Sequence, residues 1–227
     1  VVHPATIAEA RLKARAWALA LGIGLRASHS FAAPDDDSAY RHEKFRGRLD
    51  LAIGTFYAKS ATEGANDRTF SGTTFSWGVF VGGAVGGTCA LGGTLSGDRV
   101  YGLAAYDAGT GAVDVHDLSF AHVMWGPALD CYFSEKGGLR VFAALGPSDL
   151  NVGSDREQTG SGGDPTPDPS GFGYQLAIGY DAFVAKELSL GLFARLTYAP
   201  LSVNETGATG SDVSLFVPSL GLSLSLD

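Results

Sequence analysis

The sequence predicts an all-β chain: an eight-stranded antiparallel up-and-down transmembrane β-barrel, preceded by a cleavable signal peptide. Three features carry that prediction. Long runs alternate greasy residues with small or polar ones, at lengths that suit a tilted strand crossing a bilayer. Tight turns and long polar loops alternate between the runs. A secretory pattern precedes them all.

Residues 9–33, EARLKARAWALALGIGLRASHSFAA, place Arg11, Lys13 and Arg15 ahead of an apolar run from Ala16 to Leu25. Ser30-Phe31-Ala32 then offers small residues where a signal peptidase looks, so cleavage after Ala32 is expected. The competing reading is an amphipathic or buried helix that stays in the mature chain. On the first reading residues 1–32 leave, taking His3 and His29 with them. Residues 33–45 follow as a polar periplasmic leader, in which Asp35 to Asp37 read as a solvated tail. Residues 46–227 form the barrel. Loss of residues 1–32 removes four basic residues and one acid, leaving 12 basic and 23 acidic residues and a net charge of −11.

The first strand covers about 47–58, where Leu49, Leu51, Ile53, Thr55 and Tyr57 alternate with Arg48, Asp50, Ala52, Gly54 and Phe56. A polar loop, SATEGANDRTFS, leads to a second strand at about 72–85. Phe75, Trp77, Val79, Val81 and Val85 share one of its faces, and Gly86-Gly87 then signals a tight turn. The third strand starts at Thr88 with Cys89, Leu91 and Leu95 on one face. Its far boundary is open, because Gly97-Asp98 reads either as a turn or as a bulge. The Gly- and Asp-rich YDAGTGAVDVHD is expected to be a loop. The fourth strand, about 118–133, carries Trp125, Leu129, Cys131 and Phe133 against Gly126, Ala128, Asp130 and Tyr132. Pro127 within it suggests a bulge or kink.

Residues 134–138 (SEKGG) make the next short turn. The fifth strand sets Leu139, Val141, Ala143 and Leu145 against Arg140, Phe142, Ala144 and Gly146. Residues 151–170 are expected to be the longest loop. The hairpin 171–200, GFGYQLAIGYDAFVAKELSLGLFARLTYAP, supplies strands six and seven around a turn at Ala185-Lys186-Glu187. The last strand, 213–226, has Leu220, Leu222, Leu224 and Leu226 on even positions. Val213, Leu215 and Val217 lie on odd ones, so the strand is expected to switch faces near Pro218. Connections then run long, short, long, short, long, short, long, with both ends of the barrel on the periplasmic side.

Composition agrees. Only 18% of residues are charged, 45% are hydrophobic and glycine numbers 32. No apolar run outside the N-terminal segment reaches the ~18 residues of a membrane helix. The formal charge of −8 argues against nucleic acid as a partner. Two cysteines exclude both a disulfide-dense scaffold and a Cys-rich zinc site.

The phrases FSWGVFVGGAVGGTCALGGTLSG, WGPALDCYF, FAALG and the 171–200 hairpin resemble the small eight-stranded outer-membrane barrels of the OmpA/OmpX type, within an uncharacterised bacterial barrel group. That group repeats a GPGL-x-Y-Y-F strand and a GxGxxLxxGKEW hairpin. Gly179-Tyr180-Asp181 stands here where the group has Gly-Lys-Glu, so no role of that lysine carries over. The resemblance covers about residues 46–227. It implies a porin-like fold in the Gram-negative cell envelope, located in the outer membrane, and no reaction. Such barrels usually end in an aromatic residue that the barrel-assembly machinery reads; this chain ends Leu226-Asp227.

With the alternation fixed, Arg48, Asp50, Asp130, Arg140, Gln175, Asp181 and Arg195 are expected inside. An eight-stranded barrel has room there only for side chains, so buried charges must pair into a plug. A narrow solute or ion path gated by the same charges is the sharper alternative. An outer-membrane lipid hydrolase would need a nucleophile and a base. The mature chain offers His42, His116 and His122, and Ser119 with His122 and Asp117 is the one constellation. Ser119 and His122 are three apart on a strand and therefore face opposite ways. No catalytic residue, cofactor or metal site is expected. A soluble lipocalin-like barrel would turn the greasy faces inward.

Cys89 and Cys131 face outward near the periplasmic ends of neighbouring strands. They are expected to be two small apolar residues against lipid rather than a pair. Acids expected in the loops (Asp107, Asp114, Asp117, Asp155, Glu157, Asp164, Asp168, Glu205, Asp212) lack the spacing of a calcium loop. The expected partners are outer-membrane lipid and lipopolysaccharide, with the barrel-assembly machinery during insertion, around a monomer. The expected role is structural, or surface interaction through external loops.

Overall fold

The computed structural model describes residues 45–62, 67–85, 88–113, 115, 118–134, 138–154, 168–185, 187–203 and 211–226. The segments expected to be a signal peptide and a leader, with Asp35 to Asp37 and His42, and the expected Gly86-Gly87 turn lie outside these residues. So do Asp114, His116, Asp117, Asp155, Glu157, Asp164 and Glu205.

Among the described residues nine strands follow in chain order: β1 (Phe45–Thr62), β2 (Arg68–Val85), β3 (Cys89–Asp107), β4 (Gly111–Val113), β5 (Leu118–Tyr132), β6 (Gly138–Ser154), β7 (Ser170–Ala185), β8 (Leu188–Ser202) and β9 (Ser211–Leu226). Eight of them pair antiparallel with their neighbours, β3 with β5 included, and β9 returns to pair with β1. The ring is closed. Short β4 pairs with the outer end of β3, opposite residues 105–107, inside the stretch expected to be loop.

Alternation sets the two surfaces of the wall. On β7, Phe172, Tyr174, Leu176, Ile178 and Tyr180 are exposed, while Gly173, Gln175, Gly179 and Asp181 are buried. On β1, Leu49, Leu51 and Ile53 face out, and Arg46, Arg48, Asp50 and Ala52 face in. A soluble monomer rarely exposes a contiguous apolar patch beyond a few hundred Å². Below the outer ends of the strands this exterior is apolar on every long strand, so it is solvated by lipid there; the outward greasy faces are the reverse of a soluble ligand-binding barrel.

Three expectations are corrected. The last strand does not switch faces: Val213, Leu215, Val217, Ser219, Ser223 and Ser225 all point inward along β9. What switches near Pro218 is the polarity of the residues, not the direction of the side chains. Gly97-Asp98 is no turn, because β3 runs through it to Asp107. Its irregularity comes later, at Gly102 with φ 61°, where pairing with β2 slips between Ser71 and Thr73. Pro127 brings no register slip either. The β5–β6 ladder resumes in register at Ala128↔Ala144 after lapsing beyond Met124↔Ser148. Gly126 and Gly146 lie in that gap, where a Cβ on Gly126 would come within 2.9 Å of the Gly146 Cα.

The strands also outrun their expected ends. β1 and β2 narrow the first loop to residues 63–67, and β6 extends to Ser154.

The cysteines are the fourth correction. Cys89 and Cys131 form a disulfide. They are direct partners in the β3–β5 register, with Cα atoms 4.1 Å apart. Facing side chains at that separation are close enough to bridge, whichever surface they adorn.

Candidate functional site: the polar lumen

Closure of eight strands leaves an interior that side chains must fill. Inward residues divide it into three sections along the axis.

The section nearest the short turns is built on Asp130 of β5. Arg48 Nη1 donates to Asp130 Oδ2 at 2.6 Å and Arg48 Nε to Asp50 Oδ1 at 3.0 Å. Arg46 and Arg140 stand 3.9 and 3.8 Å from the Asp130 carboxylate. Arg140 Nε reaches Asp181 at 3.1 Å, and Asp181 also accepts from the hydroxyls of Tyr132 and Ser223. Aromatic faces complete the cage: Arg46 lies over Tyr132 at 4.6 Å, and Arg48 over Phe142 at 4.3 Å. Phe142 itself packs edge-on against Phe80. These cations therefore contact both carboxylates and ring faces, which compensates the loss of water around them.

The middle section centres on Asp98 of β3. His122 Nδ1 lies 2.9 Å from Asp98 Oδ2, and His122 Nε2 lies 2.7 Å from Ser148 Oγ. Ser76 donates to the other Asp98 oxygen, and Arg195 Nη2 approaches that oxygen at 3.6 Å. Gln175 donates to Ser96 at 3.3 Å and Thr197 at 3.2 Å.

The third section, toward the longer loops, is apolar. Phe56, Phe120, Leu150, Leu201, Val213, Leu215 and Val217 form one cluster, in which Phe120 makes a tilted ring contact with Phe56 and an edge contact with Phe70.

The predicted residues thus fall into two groups. Arg48, Asp50, Asp130, Arg140 and Asp181 meet in one network. Arg195 and Gln175 lie higher and have different partners. Sequence reasoning missed Arg46, Asp98 and His122. Parity could have found them: Arg46 shares it with Arg48, Asp98 with Ser96, and His122 with Asp130.

Ser119 is exposed on β5 and His122 is buried, so the pair foreseen as a weak nucleophile–base candidate is on opposite faces. Ser148, His122 and Asp98 do have the connectivity of a Ser-His-Asp triad. Ser148 is 0% exposed and His122 1%, beneath the apolar cluster, so a carbonyl has no approach to Oγ. Among the described residues no group of three or more His, Cys, Asp or Glu is arranged to hold a metal.

No protein-family model matches the chain, and no curated protein matches its sequence. Solved structures do. Neisserial surface protein A is 14% identical, with 79% of this chain and 95% of that one covered and a TM-score of 0.44. The outer membrane protein OprG from Pseudomonas aeruginosa is 13% identical, covering 82% and 97%, with a TM-score of 0.44. The outer membrane protein AlkL is 13% identical, covering 87% and 97%, with a TM-score of 0.43. The fold assignment rests on the closed ring of strands itself.

Proposed function

We propose that the chain is a plugged, rigid barrel with a structural or surface-interaction role, exercised through the loops at its outer end. Its location follows from its fold: a closed antiparallel barrel with an apolar exterior is the form in which strands span the bacterial outer membrane, where every backbone group must pair internally. The observation that carries the plug is charge parity. Among the described residues of the two polar sections, Arg46, Arg48, Arg140 and Arg195 stand against Asp50, Asp98, Asp130 and Asp181, four against four; Asp107, also buried, lies apart at the outer end of β3. Charges so matched neutralise one another rather than attract a passing ion, and the apolar cluster above them offers no polar path.

In this reading Arg48, Asp50, Asp130, Arg140, Gln175, Asp181 and Arg195 are structural, and the chain is not an enzyme. It is a monomer surrounded by lipid and lipopolysaccharide after delivery by the barrel-assembly machinery. Closure supports the monomer, since each ring strand pairs on both sides and leaves no long edge to recruit a copy. Planar-bilayer recording of the folded protein tests the plug. The expected trace is flat; regular unit conductances would replace the plug with the narrow channel.

A further inference from the structure

The outer third of the wall inverts the polarity of the rest. Below, greasy residues face out, and the buried charges face in together with Phe80, Met124 and Phe142. Above, the apolar cluster of Phe56, Phe120, Leu150, Val213 and Leu215 faces in. Exposed positions there include Lys59, Thr69, Asn151, Ser170, Asp212 and Ser214, with Tyr106 opposite Thr69 and Pro200 opposite Ser214 among them. Between the two regimes runs a row of aromatics on four successive strands. Tyr174 of β7 pairs with Tyr198 of β8, Tyr198 with Phe216 of β9, and Phe216 with Tyr57 of β1. All four are exposed.

We propose that this row marks the outer edge of the hydrocarbon, and that the wall above it is a collar facing lipid headgroups at its foot and water beyond. Length supports the position. From the row to the inner ends, β8 spans Leu188 to Tyr198 and β9 spans Phe216 to Leu226. Each is eleven residues, and a tilted strand needs about 9–11 to cross. The five residues of β9 above Phe216 add roughly 13 Å of height after tilting. Aromatic rings favour the headgroup level, which fits the row.

The inversion follows from the solvent on each side. In the hydrocarbon the exterior must be apolar, and the lumen is where polar groups can satisfy one another. Above the hydrocarbon the exterior meets water, so the hydrophobic effect drives apolar side chains into the interior, as in a soluble barrel. The collar thus has a core of its own, which closes the lumen from the outside.

The inference rests on the membrane-barrel reading, and one experiment separates the two. Ser214→Cys and Asn151→Cys place thiols on the collar; Leu222→Cys and Ile178→Cys place them on the belt. Each variant, checked for folding by its heat-dependent gel mobility, is embedded in phosphatidylcholine nanodiscs and treated with a charged maleimide. Collar thiols are expected to react at least ten-fold faster than belt thiols. Collar thiols as slow as belt thiols would overturn the collar and leave the barrel standing. Four fast thiols would remove both.

Discussion

Asp130 is the residue on which the lower lumen depends, because Arg46, Arg48 and Arg140 all converge on it. Asp130→Ala leaves buried cations short of a counter-charge, a loss of roughly 3–5 kcal/mol. Urea unfolding in detergent should show it as a lowered midpoint, whereas neutralising exposed Lys59 or Asp67, 2.6 Å apart at the rim, should cost less than about 1 kcal/mol. Ser148 gives a second test. A fluorophosphonate is expected to leave it unmodified in the folded protein, and labelling of Ser148 that disappears in His122→Gln would make it a nucleophile. The lower network was legible because its charges sit on strands whose alternation is unbroken, such as Asp181 among Gly179, Ala177 and Gln175. Asp98 and His122 were not. Gly97 suggested a chain reversal before Asp98, and His122 stood close enough to a polar loop to resemble rim chemistry. Only the course of β3, continuous to Asp107, puts Asp98 opposite His122 in the register.

At the scale of elements, β3 and β9 show where pattern reading stops. On β9 the apolar residues change parity at Pro218, and a period-two reading must then choose between a turned strand and a changed solvent. The backbone keeps its facing. On β3 the positive φ of Gly102 lets the strand insert an extra residue against β2 without ending, a conformation open to glycine at little cost. The β3–β5 pair also carries the disulfide, which sequence parity alone could not decide because two outward cysteines satisfy a lipid-facing surface equally well unpaired. Its ends are 42 residues apart. In the chain-entropy model a loop of that length contributes about 4 kcal/mol. Unfolding with and without reductant should differ by up to that amount, and Cys89→Ser/Cys131→Ser should abolish the difference.

The turn after β3 has its own pH limit. Asp107 is held below the usual aspartate range chiefly by the Gly109 N–H, at 2.9 Å, with the Thr110 N–H and Arg68 adding to it. A lowered carboxyl stabilises the fold fully above its unfolded value of about 3.9, and that support disappears as pH falls through the folded value. Amide exchange at Gly109, corrected for intrinsic rates, should therefore stay slow at pH 5 and lose protection as the pH is taken well below 4. Arg68→Ala should move that loss to higher pH.

For the whole molecule, closure accounts for more than any single contact. All long strands pair on both sides, and each strand surface meets the solvent or the packing that suits it. Such a barrel should resist detergent, so the unboiled protein is expected to migrate as a compact band that shifts on boiling. A fold this regular is readable from alternation because every residue is assigned by parity to one of two surfaces. Its vertical zoning is harder to read, since the same alternation continues through the boundary while the roles of the two surfaces exchange.

The matched charges of the lumen have an electrical consequence. An elementary charge moved across a membrane potential gains or loses about 2.3 kcal/mol per 100 mV. Among the described residues, the four arginines and four aspartates of the two polar sections, moved together, sum to nothing. The field exerts no net force on the plug as a body, so holding potentials of either sign should not open the barrel in a bilayer. Asp98→Asn leaves one positive charge in excess, and that variant is where voltage would first find something to pull on.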